Sequence, residues 1–246
     1  MHLLKKSILI SCGSFNPPTI MHLRLFELAR NHLNKCGYDV LGGMISPTHD
    51  KYKKASLIPS NHRIKMVELS LQNYDFVKCS KWETNQDGWT RTREVLEEHL
   101  RQIRRVVETP DVELHNFPHL PETLKGLKGK QVGEEEVFRL FLICGGDLLE
   151  TFSVPNLWKD EDIEAIVKNF GLIVISREGS NPEKYVENHE ILKTYKDNIH
   201  IVTEHIPNDI SSTRVRKAVK DGASVKFFVP DLVIDYIHEN ELYSDV

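Results

Sequence analysis

Short apolar runs alternate along the chain with segments that repeat apolar residues every three or four positions. Residues 7–12 form the first run, and the helical period that follows over 19–35 places Leu25, Leu28 and Leu33 on one face. Strands separated by helices imply parallel β-α-β units with right-handed crossovers. The sequence therefore predicts an α/β fold, a Rossmann-like doubly wound parallel sheet with helices on both faces.

The same patterns predict the extent of each element. Strands are expected at 7–12, 40–46, 76–79, 137–144, 172–176 and 199–203, and helices at 19–35, 60–72, 91–107, 212–220 and 231–239. Residues 108–135 break the alternation, because they hold several prolines, a lysine cluster and no clear period. We expect a mobile insertion at about 108–135.

The composition is that of an ordinary soluble protein, with 40% hydrophobic and 28% charged residues among 246. A formal charge of −4 disfavours a general nucleic-acid binder, which would carry a strongly basic domain. No apolar stretch approaches the ~18 residues that span a bilayer, so no membrane partner is expected. Cys12, Cys36, Cys79 and Cys144 form no CxxC pair, which favours reduced thiols in an intracellular protein of the cytoplasm or nucleus. The twelve histidines show no metal-ligand spacing, so we expect no metal held by the protein itself.

The stretch GSFNPPTIMH, residues 13–22, links the first predicted strand to the first predicted helix. Gly13 lets the backbone approach a ligand or adopt a positive φ, two prolines fix the loop, and Thr19 is a candidate N-cap. His22 would then lie beside free N–H groups at the positive end of the helix dipole, which is an anion site. A tight turn with an ordinary histidine explains these residues equally well.

The stretch NDISSTRVRK, residues 208–217, favours the anion site. Three hydroxyl residues precede a predicted helix, and Arg214, Arg216 and Lys217 are expected in its first turns. Cations there oppose the helix dipole by ~0.3–1 kcal/mol each. A bound polyphosphate would reverse that sign and recruit hydroxyl and N–H donors as well. The alternative is that these cations point to solvent.

Two familiar phosphate motifs, GxxxxGK[ST] and GxGxxG, do not occur, which disfavours a P-loop enzyme or a dinucleotide oxidoreductase. Five strings in order nevertheless resemble the eukaryotic nicotinamide mononucleotide adenylyltransferases of the nucleotidyltransferase α/β superfamily. They are GSFNPPTIMHLRLFELA, ISPTHDKYKKASLIP, WETNQDGWTRT, CGGDLLETFSVPNLW and NDISSTRVR. The resemblance implies one nucleotidyltransferase domain over residues 1–246. The superfamily usually has two histidines near its first helix, whereas here Thr19 replaces the earlier one, as is typical of the eukaryotic branch.

The resemblance also implies the roles of particular residues. It gives catalysis to His22 and Arg216, and it gives stacking on the nicotinamide ring to Trp89. The residues it places around ATP are Gly13, Ser14, His22, Gly145, Asp147, Arg177, Asn208, Ser212, Thr213 and Arg216. The residues it places around the mononucleotide are Ser14, Lys54, Trp89, Thr92, Leu157 and Trp158. The residues alone leave other roles open: a partly buried anchor for Trp89, a helix N-cap for Asp147, a solvated lysine for Lys54, and core positions for Leu157 and Trp158.

The reaction that the resemblance implies joins nicotinamide mononucleotide, and nicotinic acid mononucleotide, to ATP, and forms NAD and pyrophosphate. Mg²⁺ is expected as a cofactor bound mainly through the ATP phosphates. The oligomeric state, including a homo-oligomer, stays open. So do two other functions: a related nucleotidyltransferase with another phosphorylated acceptor, such as a pantetheine or choline phosphate, and a chaperone-like role. The aromatic Trp89 favours an acceptor with a flat ring, and intact His22 and Arg216 argue against lost catalysis.

Overall fold

The computed structural model describes residues 5–52, 54, 56–128, 138–177, 180–206 and 208–244. Its six parallel strands form one sheet in the order β3-β2-β1-β4-β5-β6. The strands are β1 (Lys5–Gly13), β2 (Tyr38–Pro47), β3 (Val77–Cys79), β4 (Arg139–Gly145), β5 (Leu172–Arg177) and β6 (Ile199–Glu204). All six were predicted from the sequence, with ends that differ by one or two residues.

The central strands are apolar on both sides, as a parallel sheet covered by helices requires. Ile8, Leu9 and Ile10 of β1 are all fully buried. Ile8 and Ile10 belong to one apolar cluster and Leu9 to another, because successive side chains of a strand point to opposite faces. The predicted doubly wound sheet with helices on both faces is confirmed.

The longer helices are α1 (Ile20–Lys35), α2 (Ser60–Ser70), α3 (Thr92–Glu108), α8 (Ser212–Lys220) and α9 (Asp231–Glu239). Helices α1 and α2 cover one face of the sheet and α3 covers the other, whereas α8 and α9 pack with Met66 of α2 in a third apolar cluster. Short helices that the sequence patterns did not reveal are α4 (Gly146–Glu150), α5 (Asp160–Ala165), α6 (Pro182–Asn188) and α7 (Glu190–Thr194). Every helix among the described residues falls short of the length and apolar character that a membrane crossing needs.

One close approach fixes α1 against the sheet. Phe26 of α1 is fully buried against β2, where a Cβ atom on Gly43 would lie 2.6 Å from its ring. No larger residue fits at Gly43 without moving the helix, so the start of α1 is held relative to the strand ends.

Part of the segment expected to be a mobile insertion packs on the core. Leu114, Leu120, Leu124 and Leu127 are buried with the residues of α3 and the sheet. The segment therefore packs on the core although its sequence shows no helical period, because short 3₁₀ turns bury isolated leucines. Residues 129–137 lie outside the described part of the chain, and the mobility of the segment stays a prediction.

The strand order reverses at β1, whose neighbours are β2 on one side and β4 on the other. In such sheets the loops that leave the strands on the two sides of this switch point diverge and open a crevice. The loop after β1 and the start of α4 after β4 line this crevice. They contain GSFNPPTIMH and GGDLLE, the two stretches that the sequence places at strand ends.

Candidate active site

The loop between β1 and α1 is fixed by side chains from distant parts of the chain. Arg63 donates through Nη1 to the Ser14 carbonyl at 3.0 Å. The Asn16 side chain donates to the Ser56 carbonyl at 2.7 Å and accepts from the Tyr243 hydroxyl at 2.8 Å. These bonds hold the loop in one shape before any ligand binds.

The left-handed backbone position in this loop is Phe15, with φ 47°, and not Gly13. Of the two roles that the sequence allows for Gly13, the positive φ is therefore excluded and the close approach to a ligand stays a prediction. A left-handed conformation at a residue with a side chain is strained, and it persists only where the surroundings impose it. The bonds to Ser14 and Asn16, on either side of Phe15, supply that constraint.

His22 is locked to the residue that caps its own helix. Thr19 is the N-cap of α1, as predicted, and its backbone N–H donates to His22 Nδ1 at 2.9 Å. The Thr19 hydroxyl lies 2.8 Å from the same nitrogen. Because a backbone N–H can only donate, Nδ1 accepts, and the neutral ring carries its proton on Nε2. His22 therefore offers one N–H donor at the positive end of α1.

Burial lowers the pKa of His22 to about 4, with a smaller contribution from the nearby charge of Lys54, although the charge of Asp147 opposes the shift. The imidazole is neutral at pH 7 without a ligand. A bound polyphosphate would raise this pKa, since a nearby anion stabilises the imidazolium.

The start of α8 meets the same loop. The Ser212 hydroxyl donates to the Pro17 carbonyl at 2.8 Å, and Arg216 Nη1 donates to the Asn16 carbonyl at 2.7 Å. Arg216 Nη2 also lies 3.4 Å from the Thr213 hydroxyl. These contacts span about 200 positions of sequence, so the beginnings of two distant helices converge on one loop. Had His22 and Arg216 lain on opposite sides of the molecule, the phosphate site would have been excluded.

The three cations that were expected in the first turns of α8 differ in their surroundings. Arg216 is partly buried against the loop, whereas Arg214 is exposed and pairs with Asp209 at 3.4 Å. Lys217 is exposed and lies in the last turn of this short helix, where a cation is favoured by the dipole. The solvent alternative therefore holds for Arg214 and Lys217, and the expectation of Lys217 in the first turns is wrong.

Lys54 completes a cluster of like charges on this side of the crevice. Its ammonium donates to the Ser14 hydroxyl at 3.3 Å. Partial burial lowers the pKa of Lys54, and the charge of Arg216 lowers it further, while Asp147 opposes both. An anion bound between Lys54 and Arg216 would reduce the repulsion between these two cations.

The helix that follows β4, α4, begins at Gly146, and its N-cap is Gly145. The alternative role for Asp147 as the N-cap is therefore wrong. Asp147 lies in the first turn, is exposed, and accepts from the Leu148 backbone N–H at 3.0 Å. A Cβ on Gly145 would lie 2.6 Å from Asp147 Oδ1, so the glycine makes room for the carboxylate.

The residues that the resemblance assigns to the mononucleotide differ in exposure. Trp89 is 46% exposed and Leu157 is 50% exposed, so neither is a core residue. Trp158 is partly buried, and its indole N–H donates to the Thr151 hydroxyl at 3.0 Å. The core alternative is therefore wrong for Leu157, while Trp158 does pack against the core.

A chain of contacts joins Trp89 to Lys54 of the cationic cluster. The Trp89 ring lies 6.0 Å from the ring of Tyr52, whose carbonyl accepts from the Lys54 backbone N–H at 2.8 Å. Thr92 is the first residue of α3, directly after this tryptophan loop. Asn208 makes a turn before α8, since its side-chain oxygen accepts from the Ile210 N–H at 2.8 Å. Arg177 ends β5, and its side chain lies outside the described atoms.

Sequence analysis missed Arg63, which supports the whole loop cluster. This fully buried side chain also donates to the carbonyls of Ile58 at 2.9 Å and Thr48 at 2.6 Å, and to Asp50 at 2.8 Å. A signal was present, because Arg63 precedes Val67 by one helical turn and so falls on the apolar face of α2.

Glu83 was missed as well. It is buried and accepts from the hydroxyls of Ser46 at 3.2 Å and Thr48 at 2.9 Å, beneath the end of β2. Burial raises its pKa to about 7, against the lowering effect of these bonds. Glu83 therefore ties the tryptophan loop to the strand end that leads to Lys54.

A sheet in Rossmann order, with two helix starts and two cations meeting at its switch point, defines an α/β protein that binds nucleotide phosphates. Residues 10–218 match the model of the cytidylyltransferase-like family. The chain is 42% identical over 251 residues to nicotinamide/nicotinic acid mononucleotide adenylyltransferase 1 of Bos taurus, with 96% of this chain and 88% of the relative covered. It is 41% identical over 239 residues to the corresponding enzyme of Oryza sativa subsp. japonica, with 97% and 86% covered.

A crystal structure from Vibrio parahaemolyticus, titled as a candidate nicotinate-nucleotide adenylyltransferase, superposes with a TM-score of 0.52. It is 14% identical, with 98% of this chain and 97% of that chain covered, and this likeness bears on the fold alone. The chain therefore belongs to the cytidylyltransferase-like family and, within it, to the nicotinamide/nicotinic acid mononucleotide adenylyltransferases.

Proposed function

We infer that this protein is a nicotinamide-nucleotide adenylyltransferase, which joins ATP to nicotinamide mononucleotide or nicotinic acid mononucleotide. The products are pyrophosphate and NAD or its acid analogue, so the reaction belongs to NAD biosynthesis. The observation that carries this proposal is the convergence of α1 and α8 on the loop of residues 13–19, with His22, Lys54 and Arg216 around it. The names of the relatives support the choice of substrates.

In the reaction, a 5′-phosphate oxygen of the mononucleotide attacks the α-phosphorus of ATP. The bond from that phosphorus to the bridging oxygen of the β-phosphate breaks, and pyrophosphate leaves with the electron pair. The attacking phosphate is already an anion near neutral pH, so no strong base is required. Catalysis rests on alignment and charge stabilisation, as in other phosphoryl transfers, and alignment alone can supply ~7–11 kcal/mol.

Groups of three kinds form the proposed phosphate-binding site. His22 donates its Nε2–H to a phosphate oxygen, and its pKa rises as negative charge grows beside it. Arg216 and Lys54 supply positive charge from either side of the loop, Lys54 toward the mononucleotide phosphate. Ser14, Ser212 and Thr213 add hydroxyl donors, and the starts of α1 and α8 add the positive ends of their helix dipoles. The N–H groups of Ile20 and His22 are not free for a ligand, because they donate to the carbonyls of Phe228 and Thr19.

Gly13 allows the loop to approach the phosphates, while Gly145 and Asp147 lie at the crevice beside the ATP ribose. Arg177 and Asn208 complete the adenine side. These roles follow from the match of residues to the family and from the position of β4, β5 and the α8 loop at one edge of the sheet.

The residues of the site suit Mg²⁺ carried by ATP. Imidazole, ammonium, guanidinium and hydroxyl groups predominate among the described side chains here, and Asp147 supplies a single nearby carboxylate. Mg²⁺ prefers oxygen ligands and is commonly bound through substrate phosphates, one or two carboxylates and water. When bound, the ion neutralises phosphate charge, while the protein groups orient the two substrates.

The exposed side chains of Trp89 and Leu157 receive the mononucleotide base. Trp89 offers an exposed ring for stacking on the nicotinamide, and Leu157 offers exposed apolar surface to the same ligand. Trp158, held by its bond to Thr151, forms a fixed wall of this pocket, and Thr92 lies at its edge. A flat aromatic acceptor is favoured here over a flexible pantetheine or a choline headgroup.

Direct assay tests the proposal. The purified chain is incubated with ATP, Mg²⁺ and, in separate reactions, nicotinamide mononucleotide, nicotinic acid mononucleotide, phosphopantetheine and phosphocholine. Dinucleotide and pyrophosphate are measured by chromatography, and we expect equal amounts of both with the two pyridine nucleotides. Product formed only with phosphopantetheine or phosphocholine would refute the assignment of substrate, and product with none of the four would refute the activity.

A further inference from the structure

A second cluster of ligand-type side chains lies away from the crevice. His32 is in the last turn of α1, Cys36 directly follows that helix, and His200 is in β6. One ligand atom from each lies within 4.8 Å of the others. The cluster sits near the beginning of β6 and the end of α1, whereas the candidate active site lies at the opposite ends of both elements.

Two of the three distances between these atoms are close to those around a tetrahedral metal ion, and the third is at most 4.8 Å. With Zn–N of about 2.05 Å and Zn–S of about 2.3 Å, two nitrogens are about 3.3 Å apart, and a nitrogen and a sulfur about 3.6 Å. His32 Nε2 lies 3.1 Å from His200 Nδ1 and 3.5 Å from Cys36 Sγ. Small side-chain shifts would therefore admit an ion between all three atoms.

The packing of α1 on β6 holds the two imidazoles close together. The His200 ring is packed edge-on against Phe141 and Tyr38, with ring centroids 5.5 and 6.2 Å away, so its orientation is set by the core. In the free protein His32 Nε2 and His200 Nδ1 share one hydrogen bond, so one of these two nitrogens carries a proton. An ion bound to both nitrogens requires that proton to move to the other nitrogen of the same ring.

Cys36 gives the cluster access to solvent. It is exposed, while His32 and His200 are partly buried, so an ion can enter from the surface and keep a water molecule as its fourth ligand. One thiolate with two imidazoles is a donor set that suits Zn²⁺ better than Mg²⁺ or Ca²⁺.

We propose that His32, Cys36 and His200 bind one Zn²⁺ ion, with water in the fourth position. Binding displaces the thiol proton of Cys36 to solvent and replaces the contact between the two imidazoles by two metal bonds. The ion joins α1 to β6. His22 lies at the other end of α1, and the loop to α8 follows the other end of β6. An ion that joins α1 to β6 would therefore fix the two halves of the crevice relative to each other. The expectation of no metal held by the protein is thereby revised.

Zinc titration of the metal-free, tag-free chain tests this proposal, with a chromophoric chelator as competitor. We expect one tight Zn²⁺ per chain and a higher melting temperature with Zn²⁺ than without. Since losing even an outer partner of a metal ligand costs 10–100-fold in affinity, Cys36→Ser and His200→Gln should each weaken binding by more than about 100-fold. Co²⁺ should give a thiolate-to-metal charge-transfer band in the wild type that Cys36→Ser abolishes.

The control variant is His238→Gln, which changes an exposed histidine of α9 and should leave Zn²⁺ affinity unchanged. Melting of each variant without metal shows whether it still folds, and the exposed Cys36 is the safest position to change. Equal Zn²⁺ affinity of wild type and Cys36→Ser would overturn the proposal. So would a Co²⁺ spectrum without a thiolate band, which would mean that the three side chains form only a hydrogen-bonded cluster.

Discussion

The two sides of the crevice are built in different ways. On the phosphate side, the loop of residues 13–19 is held by Arg63, Ser212 and Arg216, and His22 is locked by Thr19. On the mononucleotide side, Trp89 and Leu157 are about half exposed. The proposed phosphate site is thus formed before the substrates arrive, whereas the proposed base pocket would be completed by its ligand.

This difference follows from the chemistry of each ligand part. Phosphate charge is stabilised best by donors that need not reorganise, since fixed dipoles are worth more than mobile ones. A flat ring is held by stacking and apolar burial, which tolerate small displacements. We therefore expect substitutions on the phosphate side to act on rate, on fold or on KM for ATP, and substitutions on the base side to act on KM for the mononucleotide.

The largest effect is expected from His22→Ala. Removing a donor aimed at developing charge costs ~10²–10³ in kcat, or ~2.7–4 kcal/mol. The turnover number, followed by pyrophosphate release, should fall by at least that factor, while the melting temperature changes little. A folded His22→Ala variant that retains near wild-type turnover would show that this imidazole does not act in the reaction.

The next effect concerns the scaffold of the phosphate side. Arg63→Met keeps much of the buried volume but leaves the carbonyls of Ser14, Ile58 and Thr48 without their donor. Each buried polar group that loses its partner costs ~1–3 kcal/mol, so the free energy of unfolding should fall by ~3 kcal/mol or more. Guanidinium denaturation measures it, with the exposed Arg101→Met as the matched control. Similar losses for both variants would mean that the Arg63 bonds contribute little.

Arg216→Ala should affect ATP more than the mononucleotide. A hydrogen bond to a charged group is worth ~1.5–3 kcal/mol, so KM for ATP should rise by ~10–100-fold. Arg214→Ala is the matched control, because this arginine sits two residues away on the same helix and pairs with Asp209 at the surface. If both variants raise KM for ATP equally, the effect comes from net charge and not from the place of Arg216 on the loop.

Trp89→Ala tests the base side. Stacking on an aromatic side chain contributes ~1–3 kcal/mol per base, so KM for nicotinamide mononucleotide should rise by ~10-fold or more while KM for ATP stays nearly constant. Phe227→Ala removes another strongly exposed aromatic ring and serves as the control. Equal weakening of both substrates by Trp89→Ala would count against stacking and, with it, against the division of the crevice into two regions.

The sequence was informative where local patterns and the fold's own rules agree. The strands, α8 and α9 follow from apolar period and caps, and the pairing of the β1 and β4 loops follows from the switch point of a parallel sheet. The role of Arg63 could not be predicted from the sequence, because a buried arginine is stable only when carbonyls from distant parts of the chain accept its hydrogen bonds. Cys36 and His200 could not be placed together for a similar reason, since 164 positions separate them and only the packing of α1 on β6 joins them.

The smallest expected effect is proton uptake on ligand binding, and it distinguishes the phosphate side of the crevice from the mononucleotide side. Without ligand, the pKa of His22 is about 4, so the ring is neutral at pH 6. An anion raises this pKa, and binding of inorganic tripolyphosphate at pH 6 should therefore draw a fraction of a proton onto His22. By linkage, binding then strengthens as pH falls from about 7 toward 5.

Titration calorimetry in buffers of different ionisation enthalpy measures the uptake, after the ligand's own protonation is subtracted. His22→Gln should remove the His22 contribution, whereas Trp89→Ala should leave it intact. Identical uptake in wild type and His22→Gln would mean that the imidazole stays neutral in the complex and acts only as a hydrogen-bond donor.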